Sequence, residues 1–225
     1  MALLEASGLS KSFGSKTVLD EISFSIGEKS IVSIMGPSGE GKSTIARILC
    51  GTLIPSSGRV SFKDQELLSA GNVYNKAFRR EIQLVPQQPF ACLDPRQRVG
   101  DAICEPLLFH RIALNRGQAK LKALELLKKV SLDTSLFERR PGELSGGQAQ
   151  RILIARSLTV SPKLLIADEA TSMLDISSQA EIITIFRRLV SEEGIAILCI
   201  SHDRPLVESI SDKVYSLTSG KLIQL

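Results

Sequence analysis

Apolar and polar positions change their period several times along this chain, and each change marks an element. Residues 3–10 and 21–26 read as short strands, with a Gly27-Glu28 turn after the second. Ile31-Val32-Ser33-Ile34-Met35 is a compact apolar run ending in Gly36, the pattern of a strand buried on both faces. Residues 43–50 read as a helix stopped by Gly51 and Pro55. Residues 59–63 alternate like a half-buried strand, and 81–85 read as another. From Gly100 to Glu138 the period becomes helical: Ile103, Leu107, Leu108, Leu121, Leu124, Leu127 and Val130 recur with lysines between them. After Ser145 a helix runs to about Leu158, and strands at 164–167 and 195–200 flank a helix over 176–189.

Helices alternating with apolar strands imply a parallel sheet covered by helices. A helical lobe is inserted into it and a small β layer precedes it. The length of 225 residues suits one compact α/β domain, and 43% apolar with 23% charged residues is ordinary for a globular protein. The net charge of +4 is spread along the chain, which gives little support to a nucleic-acid partner and suits phosphate ligands equally well. Cys50, Cys92, Cys104 and Cys199 form no CxxC pair and are expected to be buried thiols rather than metal ligands. No stretch approaches the ~18 apolar residues of a spanning helix. The N-terminus has no basic segment leading into a long apolar core, so the expectation is a protein kept in the cytosol, docking on something else if it works at a membrane.

Two glycine-rich motifs carry the chemistry. Gly36-Pro37-Ser38-Gly39-Glu40-Gly41-Lys42-Ser43 follows a predicted strand and opens a predicted helix, the context a P-loop requires. Its glycines let backbone N–H groups turn inward around phosphate oxygens, Lys42 can reach the terminal phosphates, and Ser43 can hold Mg²⁺. Glu40 is a negative side chain in an anion-binding loop and is expected to point to solvent. Residues 164–167 deliver Asp168 and Glu169 at a strand end, where ligands sit in open α/β sheets. Asp168 is expected on the metal side and Glu169 as the general base for the attacking water. His202 follows the last long apolar strand. A lone histidine is usually structural, but this one would share an edge with Asp168 and can contact a γ-phosphate. Gln87, after the strand ending at Val85, carries an amide that can touch both metal and water.

The second motif is Leu144-Ser145-Gly146-Gly147-Gln148. Ser145 is a good N-cap, the glycines admit a ligand to the backbone, and the helix behind supplies a positive end. One P-loop and one such cap, held apart by the helical lobe, cannot easily grip the same phosphate. A two-fold dimer in which each cap closes the other subunit's P-loop resolves this.

These motifs, in this order, resemble the nucleotide-binding subunit of ATP-binding cassette (ABC) transporters over essentially the whole chain. The resemblance implies an α/β P-loop NTPase fold: a RecA-like parallel sheet core, an N-terminal antiparallel β subdomain and an inserted α-helical subdomain. It implies one domain over 1–225, with 1–98 and 155–225 forming the β layer and core, and 99–154 the helical subdomain ending in the signature motif. Phe13 looks like the aromatic that stacks on adenine. Residues 36–44, including Thr44, look like Walker A, Gln87 the Q-loop, 144–148 the signature, 164–169 Walker B, Ser172-Met173-Leu174-Asp175 the D-loop and His202 the H-loop. The family then implies ATP and Mg²⁺ as ligands, and head-to-tail pairing with a second ATPase subunit, the same or related. It also implies permease subunits, an extracellular substrate-binding protein, and a place on the cytoplasmic side of the cell membrane; nucleic acid is not expected.

Gln87-Gln88-Pro89-Phe90-Ala91-Cys92-Leu93-Asp94-Pro95-Arg96 further resembles the Q-loop of oligopeptide, dipeptide and nickel importer ATPases. Pro86, Gln88, Cys92, Asp94 and, after the signature, Ala149 depart from the usual residues. That subfamily usually continues past the last strand, so stopping at Leu225 reads as a short-form or trimmed subunit. A soluble ABC ATPase working on nucleic acid or ribosomes usually adds a second cassette, coiled coils or zinc modules, none of which is seen here. An exporter-type cassette would share all the chemistry and differ in the docking groove near residues 90–96. A P-loop kinase has no use for residues 144–148.

Overall fold

The computed structural model describes residues 2–72 and 74–225. Strands β1 (Ala2–Phe13), β2 (Lys16–Gly27), β4 (Ser57–Phe62) and β5 (Gln65–Ser69) pair antiparallel in the order β2-β1-β4-β5. A second sheet contains β3 (Ile31–Met35), β6 (Ile82–Val85), β7 (Leu164–Asp168), β8 (Ala196–Ser201), β9 (Lys213–Thr218) and β10 (Lys221–Gln224). Its order is β10-β9-β3-β8-β7-β6, parallel throughout except for the β9–β10 hairpin.

Strand periodicity divides the interior. On β3, Ile31 faces one core and Val32 and Ile34 the other; on β7, Leu165 and Ala167 face the first and Leu164 and Ile166 the second. The second core is closed by the antiparallel sheet and by helix α1 (Lys42–Leu49), through Ile45, Ala46, Ile48 and Leu49. The first is closed by α2 (Val99–Phe109), α3 (Arg116–Lys129), α4 (Gly146–Leu158), α5 (Ile176–Glu193) and α6 (Arg204–Ile210). Fully burying one such aliphatic side chain contributes roughly 1.5–3 kcal/mol, so these alternating runs fix the sheet with helices on both faces. The helical lobe is α2, α3 and the start of α4. The boundary expected after residue 154 falls inside α4, whose Ile152 and Ala155 join the same core as α2 and α3.

Register aligns the strand ends that matter. Met35 pairs with Ser201, Asp168 with Ile200, and Val85 with Ala167. The chain therefore leaves β3, β6, β7 and β8 along one carboxyl edge, delivering Gly36, Gln87, Glu169 and His202 to the same rim. Cysteine burial is mixed: Cys104 and Cys199 are buried and Cys50 half-buried, but Cys92 is exposed, because it sits in the loop after β6 rather than in the core.

Candidate active site

The P-loop is shaped by close approaches that only glycine permits. A Cβ on Gly36 would lie 2.3 Å from the Leu217 carbonyl oxygen, and one on Gly41, whose φ is +101°, 2.6 Å from Val18 Cγ1. Gly41 is also the N-cap of α1, and its carbonyl accepts from the Thr44 and Ile45 amides. Lys42 is only 4% exposed. Its ammonium donates to the Gly36 and Pro37 carbonyls at 2.8 Å each and lies 3.6 Å from Glu169 Oε1, which offsets the cost of burying the charge. Ser43 Oγ donates to Asp168 Oδ1 at 3.1 Å. Burial pushes the Asp168 carboxyl above its ordinary range, opposed first by the Ser43 hydroxyl.

Glu169 is the hub. It sits just past β7 in a left-handed conformation, φ +49°, while its N–H still bonds the Ile200 carbonyl. For a non-glycine residue that geometry is strained and persists only where its surroundings hold it. Gln87 Nε2 donates to Glu169 Oε2 at 3.0 Å and to Ser172 Oγ at 3.2 Å, and Ser172 donates back to the Glu169 carbonyl at 3.0 Å. His202 Nδ1 lies 3.6 Å from Glu169 Oε2. An open cleft of about 420 Å³ runs from the half-exposed Phe13 across Ser38, Gly39, Lys42, Ser43 and Thr44 to Gln87 and Glu169.

Ser145, Gly146, Gly147, Gln148 and Asp175 do not line this cleft. Ser145 and Gln148 form a capping box, with Gln148 N donating to Ser145 Oγ at 3.2 Å and Ser145 N to Gln148 Oε1 at 3.0 Å. Gly147 packs inward; a Cβ there would meet Ser178 Oγ at 2.6 Å. Asp175 caps α5, accepting from the Ser178 amide at 2.9 Å and its hydroxyl at 2.8 Å, and these bonds hold its carboxyl below the usual range. Glu40 departs from expectation. Its carboxylate does not simply face solvent but accepts from Ser219 N at 2.6 Å, because the β9–β10 turn lies against the loop.

A model of the ABC transporter family matches residues 19–172. The chain belongs to the ABC transporter family. Among its curated relatives is the nickel import ATP-binding protein NikE of Escherichia coli K12, 38% identical over 233 residues that take in 100% of this chain and 87% of the relative. The solved structure of cbiO1 from Clostridium perfringens, described as part of the ABC transporter complex cbiONQ, superposes with a TM-score of 0.86 at 27% identity, over 99% of this chain and 87% of that one. MJ0796, described as a bacterial ABC transporter cassette in dimeric form, superposes with a TM-score of 0.85 at 29% identity, over 97% and 96%. As an ABC cassette the chain is an ATPase subunit, and cassettes of this fold are solved with ADP bound.

Two contacts of this cassette escaped sequence reasoning. Gln150 on α4 is 1% exposed and its Nε2 donates to the Pro86 carbonyl at 3.1 Å, tying the signature helix to the residue before Gln87. A glutamine amid buried apolar residues of a helix was the available signal. Ser172 was seen only as part of the D-loop, yet its hydroxyl joins Gln87 to Glu169. Among the described residues no group of three or more His, Cys, Asp or Glu side chains could hold a metal. The oxygens of Ser43, Asp168 and Gln87 are nevertheless the hard donors that Mg²⁺ takes beside nucleotide phosphates, and a half-buried carboxyl whose side-chain partner is one hydroxyl fits such an ion.

Proposed function

We propose that this chain is the ATP-hydrolysing subunit of an ABC importer carrying nickel, a related metal chelate, or peptides. The observation that carries the catalytic part is the convergence of Lys42, Gln87 and His202 on the Glu169 carboxylate, within 3.0–3.6 Å, beside the Ser43–Asp168 pair. In this reading Phe13 stacks on adenine, and the backbone of residues 36–44 with Lys42 cradles the phosphates. Glu169 orients and deprotonates the attacking water, Gln87 fixes that carboxylate, and His202 donates towards the γ-phosphate. Ser43, Asp168 and Gln87 would hold Mg²⁺, which neutralises charge on the β- and γ-phosphates when bound. Ser145, Gly146, Gly147 and Gln148 close the P-loop of a second cassette, and Asp175 stands beside that interface.

The cargo is supported by two things: the relatives named as nickel import ATP-binding proteins, and the loop at residues 87–96. There Phe90 is 47% exposed, and an open groove of about 490 Å³ lined by Cys92, Asp94, Arg96, Glu105 and Arg156 offers permease subunits a docking place. Among the described residues no helix is long and apolar enough to cross a membrane, which suits a peripheral subunit on the cytoplasmic side. Glu169→Gln is expected to lower ATP hydrolysis by at least about 100-fold while ATP binding persists and an ATP-bound dimer accumulates on size exclusion. Normal phosphate release by that variant would overturn the assignment of the base. Co-purification with the permease and the binding protein, whose ligand names the cargo, tests the import reading.

A further inference from the structure

The P-loop of this chain carries a carboxylate where it must receive an anion. Left free, Glu40 would repel the phosphates its own loop amides attract. The β9–β10 hairpin changes that. Its two-residue turn has Ser219 at φ +51° and Gly220 at φ +76°, the mirror-image geometry that closes tight hairpins. In such a turn the first residue's N–H points outward without a partner in the ladder, and here that donor is the Ser219 amide taken by Glu40. The same turn grips the cleft elsewhere: Asp20 N donates to the Gly220 carbonyl at 2.9 Å, and a Cβ on Gly220 would lie 3.1 Å from the carbonyl of Val18, a residue that lines the cleft. One residue before the turn's flank, the Leu217 carbonyl backs Gly36 so closely that a Cβ there would lie 2.3 Å from its oxygen. The loop is thus braced at both ends of its glycine run by one hairpin that lies 179 residues away along the chain.

We propose that Glu40 is a positioning residue: its bond to the Ser219 amide holds the P-loop open in its phosphate-accepting curve and draws the carboxylate off the phosphate path. The inference rests on the ATP-binding reading above. It separates two properties of one side chain, an acceptor oxygen and a charge. Glu40→Gln keeps the acceptor and removes the charge. Glu40→Asp keeps the charge and shortens the reach. Glu40→Ala removes both.

The test is ATP affinity of the full-length chain, measured by calorimetry with Mg-ATP for wild type and the three variants, beside their thermal unfolding midpoints. The expected order is Gln equal to or tighter than Glu, then Ala, then Asp, with Asp about three- to tenfold weaker than wild type. The Gln rescue should hold at unfolding midpoints close to wild type, which a general loss of folding would not give. Asp binding as tightly as Glu would overturn the inference, as would Gln and Ala binding alike, since charge alone would then decide. A wild-type chain that binds no ATP would overturn the ATP reading and this inference with it. A wild-type chain that binds ATP beside three indistinguishable variants would overturn this inference alone.

Discussion

The two glycine-rich turns of this chain are held in different ways. The loop before α1 is fixed from afar: Lys42 reaches Glu169 and Ser43 reaches Asp168, both at the end of β7, and Glu40 reaches Ser219 in the β9–β10 turn. The turn before α4 largely holds itself, because Ser145 and Gln148 satisfy each other and Gly147 packs against Ser178 at the neighbouring start of α5. A loop braced by many distant partners is one assembled half of a site. A self-capped helix end whose serine stays exposed is a surface free to meet a partner, as the proposed dimer requires. The contrast supports the proposal that a second copy or a related cassette completes the site of this chain.

Breaking the second region while sparing the first gives the largest effect. Gly147→Ala places a methyl against Ser178, and the strain should lower ATP turnover about ten- to hundredfold, with ATP affinity of the single chain close to wild type. Adding Ser178→Gly should recover much of the loss in a double-mutant cycle read by phosphate release. Equal losses in turnover and affinity would mean that the two regions are not separate.

The link between the regions is the next target. Gln150→Ala leaves the Pro86 carbonyl without its donor and should cost about 1–3 kcal/mol in denaturant unfolding. The same substitution should loosen the coupling of α4 to Gln87, read as weaker stimulation of turnover by partner subunits.

The smallest effects come from two carboxylates, and they have opposite signs. Asp168 is raised by burial, so the unfolded chain releases this proton first as pH rises, and the folded state bears a cost that persists at neutral pH. Asp168→Asn should therefore raise the nucleotide-free unfolding midpoint, by about 2–4 °C for each kcal/mol relieved. Asp175 is lowered by its bonds to Ser178, so its stabilisation is present above the ordinary value of 3.8 and is lost as pH falls through the folded value. Asp175→Asn should flatten stability against pH in that acid window and nowhere else.

How much of this was legible depended on whether a feature was local. The runs that became β3, β7 and β8 are almost wholly apolar because both faces are buried, and they stand out in any window. Helix α4 announces itself by its cap Ser145 and α5 by the helical period over 176–189, whereas the cap Asp175 shows only in the structure. In contrast β5, α6, β9 and β10 carry little local signal, being short or polar on one side, although Lys213–Thr218 does alternate. Yet β9 lies beside β3 in the sheet, and its Leu217 carbonyl shapes Gly36. The motif residues Gln87, Asp168, Glu169 and His202 are readable as types at strand ends, and Lys42 as the lysine opening a helix after a glycine loop. That Gln87 and Lys42 both converge on Glu169 is not, because it depends on strand order and register, which no local pattern encodes. The Ser219 partner of Glu40 is hidden for the same reason, since it is set by topology.

The central claim is that the P-loop of one chain is completed by the signature turn of another. It is tested most directly by measuring phosphate release per chain over a range of protein concentrations, with molecular mass determined on the same samples. The account predicts a per-chain rate that rises with the fraction of dimer and is small in the monomer. A full and constant rate from a sample that stays monomeric throughout would contradict it.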